Sequence, residues 1–173
     1  MNKHPKDLRN NEKGQLSIEY ILVMGFIFVI SVTIVVSAAD ADELATAMAA
    51  ARSGAIEGAN MDCFAVYPEK TFENNTYKHP RLTSPSNVKI VKVDYINQGY
   101  NSTYKKTKIQ LRIWASAPSV EDGSDRNCLG DRINYHARKS ICEAFETQNL
   151  TSAAYNPVFT IKYVFTTGDV KWV

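Results

Sequence analysis

The chain has 173 residues, a net charge of +2 and 22% charged residues, which suits one medium-sized domain or a smaller domain with an appendage. This balance excludes the basic footprint of a nucleic-acid binder and gives no acidic tail. Apolar content is an ordinary 45%, but its distribution is uneven.

The N-terminal residues carry Lys3, Lys6, Arg9 and Lys13 against Asp7 and Glu12. No charge follows from Tyr20 to Ala39, and Asp40, Asp42 and Glu43 end that block. As a helix the block spans about 30 Å, the hydrocarbon thickness of a bilayer. Basic flanks stay on the cytoplasmic side, so everything beyond residue 40 is expected outside. The sequons at Asn74, Asn101 and Asn149 all lie in that outer part and are glycosylation candidates. Cys63, Cys128 and Cys142 lie there too, in what would be an oxidising compartment.

Three readings fit a basic leader followed by an apolar block. A secretory signal would be cut near Val36-Ser37-Ala38, but the run exceeds the usual signal core of roughly 7–15 residues. An uncleaved anchor would hold an extracellular binding domain. The third reading rests on the junction Lys13-Gly14-Gln15-Leu16-Ser17-Ile18-Glu19. Here Gly14, Gln15, Ser17 and Glu19 match the pattern Gly-Gln-x-Ser-x-Glu directly ahead of the apolar run.

Through that pattern the sequence resembles archaeal type IV pilin-like proteins with a class III signal peptide, of the methanogen type. The resemblance covers roughly the first 58 residues. It implies cutting between Gly14 and Gln15 by a membrane prepilin peptidase, with Lys13 and Gly14 flanking the cut. It also implies an assembly role for Glu19, whose carboxylate would meet the new amine at Gln15 of a neighbouring subunit. No proline occurs between Pro5 and Pro68, which favours the archaeal branch and a straighter helix.

The expected organisation is a leader over 1–14, a helix over 15–58 and a head over 59–173. Residues 16–39 would be membrane anchor and then filament core. In residues 40–58, Leu44, Met48, Ala51 and Ala55 share one face. Asp42, Thr46, Ser53 and Glu57 lie opposite, with Glu43 beside them.

The head shows strand patterns over Val88–Ile96, Lys105–Ala115 and Phe159–Thr166, and a short one over Val170–Val173. Gln98-Gly99 and Asn101-Ser102 supply turn chemistry after the first, and Gly168-Asp169 before the last. A helix is expected over Asp131–Gln148, with Ile133, Ala137, Ile141 and Ala144 inward. The fold class is therefore α+β: a long N-terminal helix packed on an antiparallel sheet.

A Cys128–Cys142 bridge would close about 15 residues and contribute about 3 kcal/mol, with Cys63 competing for either partner. The loop Glu121–Asp125 lacks calcium-ligand spacing and reads as a solvated turn. Tyr95, Tyr100, Tyr104 and Trp114 read as sheet positions rather than an adhesive surface. His79 and His136 have no nucleophile or carboxylate at telling spacing, so no catalytic residue, metal or cofactor is expected.

The function implied is a structural pilus subunit, leaning towards a minor or adhesive one. Its partners would be the peptidase, other pilin subunits through residues 16–39, and the membrane before assembly, without nucleic acid. Its location would be the cytoplasmic membrane as precursor and the extracellular pilus afterwards.

Overall fold

The computed structural model describes residues 8–60 and 88–173, with side chains from Ile18 onward in the helix. The chain divides into two units, Met1–Glu43 and Leu44–Val173, and the division falls inside one helix. That helix, α1, is Leu8–Asn60. It contains no proline and is rich in alanine and other helix formers from Ala38 onward.

The second unit adds β1 (Lys89–Asn101), β2 (Lys106–Ser116), α2 (Gly123–Ala144), β3 (Val158–Phe159), β4 (Tyr163–Thr167) and β5 (Lys171–Trp172). A single 3₁₀ turn, Gln148–Leu150, follows α2. The fold is α+β, with the helices on a five-stranded sheet.

The sheet is mixed rather than antiparallel. β1 pairs antiparallel with β2, and β3 with β4, but β4 and β5 both run parallel to β2. Parallel neighbours need a crossover connection, and α2 supplies it between β2 and β4. The chain therefore jogs at Gly168-Asp169 instead of reversing. Gly168 N–H donates to Leu111 O at 2.9 Å while β5 continues along β2 at Trp114–Ala115.

Three local expectations change for identifiable reasons. Gln98-Gly99 is a bulge within β1, not its end; Gly99 adopts φ +81° and its N–H donates to Asn97 Oδ1. The expected strand Phe159–Thr166 is a hairpin. Thr160 N–H and hydroxyl both bond Tyr163 O, turning the chain so that Val158 faces Phe165. α2 begins eight residues early, because Asp122 caps it by accepting from the N–H groups of Ser124 and Asp125. The Glu121–Asp125 segment is thus a helix start, and Ala144, expected inward, is exposed at the helix end.

One face of the sheet is covered by residues 44–60 of α1 and by α2. Ala47 and Ala51 pack with Ile109, Leu111, Ile141 and Phe165, while Ala55 and Ala59 pack with Ile113, Leu129 and Ile133. Alanines four apart put a flat stripe on α1, which lets its backbone lie close to its neighbours. That stripe is Ala47, Ala51, Ala55 and Ala59, whereas Leu44 and Met48, expected on it, pack at its margin. Glu43, read as part of the polar face, is buried. β2 alternates as expected, with Ile109, Leu111 and Ile113 buried and Lys108, Gln110 and Arg112 on the other side.

Candidate functional site

The most unusual surface belongs to α1 between Ile18 and Val36. Every large apolar side chain there is 42–70% exposed, including the consecutive Ile21, Leu22, Val23 and Met24. Four consecutive positions cover a full helical turn, so no face of this segment is sheltered. The helix is long and apolar enough to cross a membrane.

Three hydroxyls along this helix bond back to its own backbone. Ser31, Thr33 and Ser37 donate their hydroxyls to the carbonyls of Ile27, Val29 and Thr33, at 2.8, 2.9 and 3.0 Å. Such bonds to the preceding turn satisfy a hydroxyl without water, which is what an apolar environment demands. Glu19 is exposed at the start of this segment. Lys13, Gly14 and Gln15 lie on the helical backbone of α1 ahead of it.

A second feature is the seam between α1 and α2. Gly54 and Gly58, one turn apart, face the carbonyls of His136 and Arg132. A Cβ at Gly54 would stand 2.2 Å from His136 O, and one at Gly58 3.0 Å from Arg132 O. At Gly54 only glycine permits this backbone approach; at Gly58 an added carbon would require its neighbours to give slightly. Arg132 is buried and donates from Nε to Gly58 O at 2.8 Å. His136 is 1% exposed, and neither ring nitrogen has a hydrogen-bond partner among the described residues. Its nearest carboxylate is Glu57 of α1, with Nδ1 3.6 Å from Oε1. Burial pushes the imidazole below its ordinary pKa of 6.5, and the Glu57 charge opposes that only in part.

A third feature is a cleft of about 290 Å³ lined by Arg126, Gly130, Asp131, Asn134, Asp169 and Trp172, among others. Burial, with the nearby Asp169 charge, pushes the Asp131 carboxyl above the usual carboxylate range, against the pull of Arg138. Asn134 is 6% exposed; its Nδ2 donates to Gly168 O at 3.0 Å, and its Oδ1 has no partner among the described residues.

No protein-family model matches the chain, and neither a curated protein nor a solved structure matches it.

The remaining sequence candidates are scattered over the second unit. Cys128 and Cys142 sit on the same helix, fourteen residues and about 21 Å apart. A disulfide needs Cα atoms within roughly 7 Å, so these two cannot be joined to each other. Cys142 is buried; burial pushes the Cys128 thiol up, aided by the Asp131 charge, which keeps it protonated. Cys63 and Asn74 lie outside the described residues. Asn101 ends β1, where its Oδ1 accepts from Thr103 and Tyr104 N–H, and Asn149 is exposed in the 3₁₀ turn.

Among the aromatics, Tyr95 and Tyr100 are exposed, while Trp114 is half-buried with Lys92 and Lys171 over its ring at 5.2 and 5.8 Å. The seam escaped sequence reasoning. Its signal was the Gly54-x-x-x-Gly58 spacing, a common mark of closely packed helices.

Proposed function

We propose that this chain is a structural subunit of an archaeal type IV-like pilus, in a minor or adhesive role. Its leader would be removed between Gly14 and Gln15 by a prepilin peptidase. The helix over 16–39 would hold the precursor in the cytoplasmic membrane and then pack among the helices of neighbouring subunits. The α+β unit would form the extracellular head, carrying the sequons at Asn101 and Asn149.

The observation that carries this reading is the segment Ile21–Val36, apolar on every face and with the hydroxyls of Ser31 and Thr33 bonded to the preceding turn. Such a surface is costly in water and equally suited to lipid and to a bundle of like helices. The motif Gly14-Gln15-x-Ser17-x-Glu19 supports the second environment, because a plain anchor gives Glu19 no task.

Glu19→Ala tests the assembly step. Truncating one partner of a buried charge pair costs about 2–5 kcal/mol, so incorporation into sheared surface filaments should fall at least about tenfold. Membrane insertion and processing should persist, as read by immunoblot of membrane and sheared fractions. Wild-type amounts of filament would contradict the pairing of Glu19 with Gln15.

A further inference from the structure

We propose that the seam between α1 and α2 is an acid-sensitive latch with His136 as its sensor, so that protonating the imidazole loosens residues 54–58 from α2. This concerns the second unit alone and holds whether or not the chain assembles into filaments.

The seam has almost no spare space. Gly54 and Gly58 bring α1 against the α2 carbonyls so closely that a single added carbon has no room at Gly54. A seam this tight leaves the His136 ring dry, at 1% exposure. The ring meets Tyr135 edge to face, with centroids 5.4 Å apart. A neutral imidazole has one donor and one acceptor nitrogen, and here both lack hydrogen-bond partners among the described residues. Protonation turns both into donors and adds a charge, which a dry and unpartnered position penalises heavily.

The charges around the ring do not remove that penalty. From α1, Glu57 favours the imidazolium, but its carboxylate is 49% exposed and at 3.6 Å stands beyond a normal hydrogen bond. From α2, Glu143 also favours it, while Lys139 and Arg132 oppose it. Arg132 is held at the seam by Gly58 O. The balance favours the neutral ring, in line with its lowered pKa.

The direction of the pH effect follows. An unfolded His136 takes up its proton near pH 6.5, whereas the folded one does so only at lower pH. Between those points the unfolded state binds more protons, so stability is full above pH 6.5 and falls as the pH drops below it. Glu57, the nearest carboxylate, is half exposed and offsets only part of the cost of the charge, so relief comes from opening residues 54–58 to water.

The test uses the full chain in detergent micelles, with isotope-labelled histidine and His4→Gln and His79→Gln changes so that one ring signal remains. From pH 8 to 4.5 that signal should titrate with a midpoint below 6.5. Amide exchange over residues 50–58, corrected for intrinsic rate, should quicken at least about tenfold between pH 7.5 and 5. The Tm should fall by about 4 °C or more over the same range, and His136→Phe should flatten that fall. A midpoint at or above 6.5 would overturn the latch, and so would an equal Tm dependence in His136→Phe. If His136→Phe does not fold, the ring titration and the exchange rates of the wild-type seam decide the matter alone.

Discussion

Gly54→Ala should destabilise the α+β unit by at least about 2 kcal/mol, although glycine to alanine inside a helix ordinarily stabilises by about 1 kcal/mol. The reversal comes from one distance. The new Cβ would stand 2.2 Å from His136 O, with Ser140 Oγ at 2.5 Å. The serine can rotate away, but a carbonyl within a helix cannot, so α1 must lift off α2. Overpacking of this kind typically costs 1–3 kcal/mol, occasionally more, and a clash between two backbones belongs at the upper end. Lifting α1 would also separate Ala55 and Ala59 from Ile133 and Leu129. Gly25→Ala is the control, because nothing lies within 4 Å of its added carbon. Thermal melts in detergent should show a loss for the first variant and none for the second; equal behaviour would contradict the close seam.

The other large effect lies in the sheet. Phe165→Ala should cost about 3–5 kcal/mol, the usual range for deleting a buried phenylalanine ring. Phe165 is fully buried, packs with Ala47, Ala51, Ile109 and Val158, and has Tyr163 beside it at 6.0 Å between centroids. No small neighbour can fill the void, since the alanines on α1 are already flush with the sheet. Ile161→Ala, only four residues away, should stay within about 0.5 kcal/mol, because Ile161 is 78% exposed. Denaturant midpoints at constant slope would measure both. Similar losses at the two positions would argue for a continuous strand in place of the hairpin.

That pair also shows where a sequence stops being legible. Simple alternation put Phe159, Ile161, Tyr163 and Phe165 on one face. The turn built on the Thr160 hydroxyl breaks the period and sends Ile161 into solvent. Alternation reports burial only while the strand continues. In β2 it continues, and Ile109, Leu111 and Ile113 were readable from the pattern alone. The apolar block was readable as an uncharged run, whereas the buried stripe of α1 was read in part: Ala51 and Ala55 were placed on it, Ala47 and Ala59 were not.

Long-range pairing has no such local signal. β4 lies parallel to β2 because α2 returns the chain, and a helix between two strand patterns was the available cue. Asp131 and Asp169 meet in the cleft although 38 residues separate them. His136 and Glu57 meet across the seam although 79 residues separate them, so spacing alone made His136 look isolated. The start of α2 was missed because Asp122-Gly123-Ser124 reads equally as a turn and as a cap. Only the ensuing hydrogen bonds distinguish the two.

The most direct test of the functional account is the N-terminal residue of the chain recovered from sheared surface fractions, read by mass spectrometry. A start at Gln15, free or cyclised, is expected. A start at Met1 would instead make the chain an uncleaved anchor for an extracellular binding domain, and a start near Ala39 a secreted protein; either would contradict the pilus subunit.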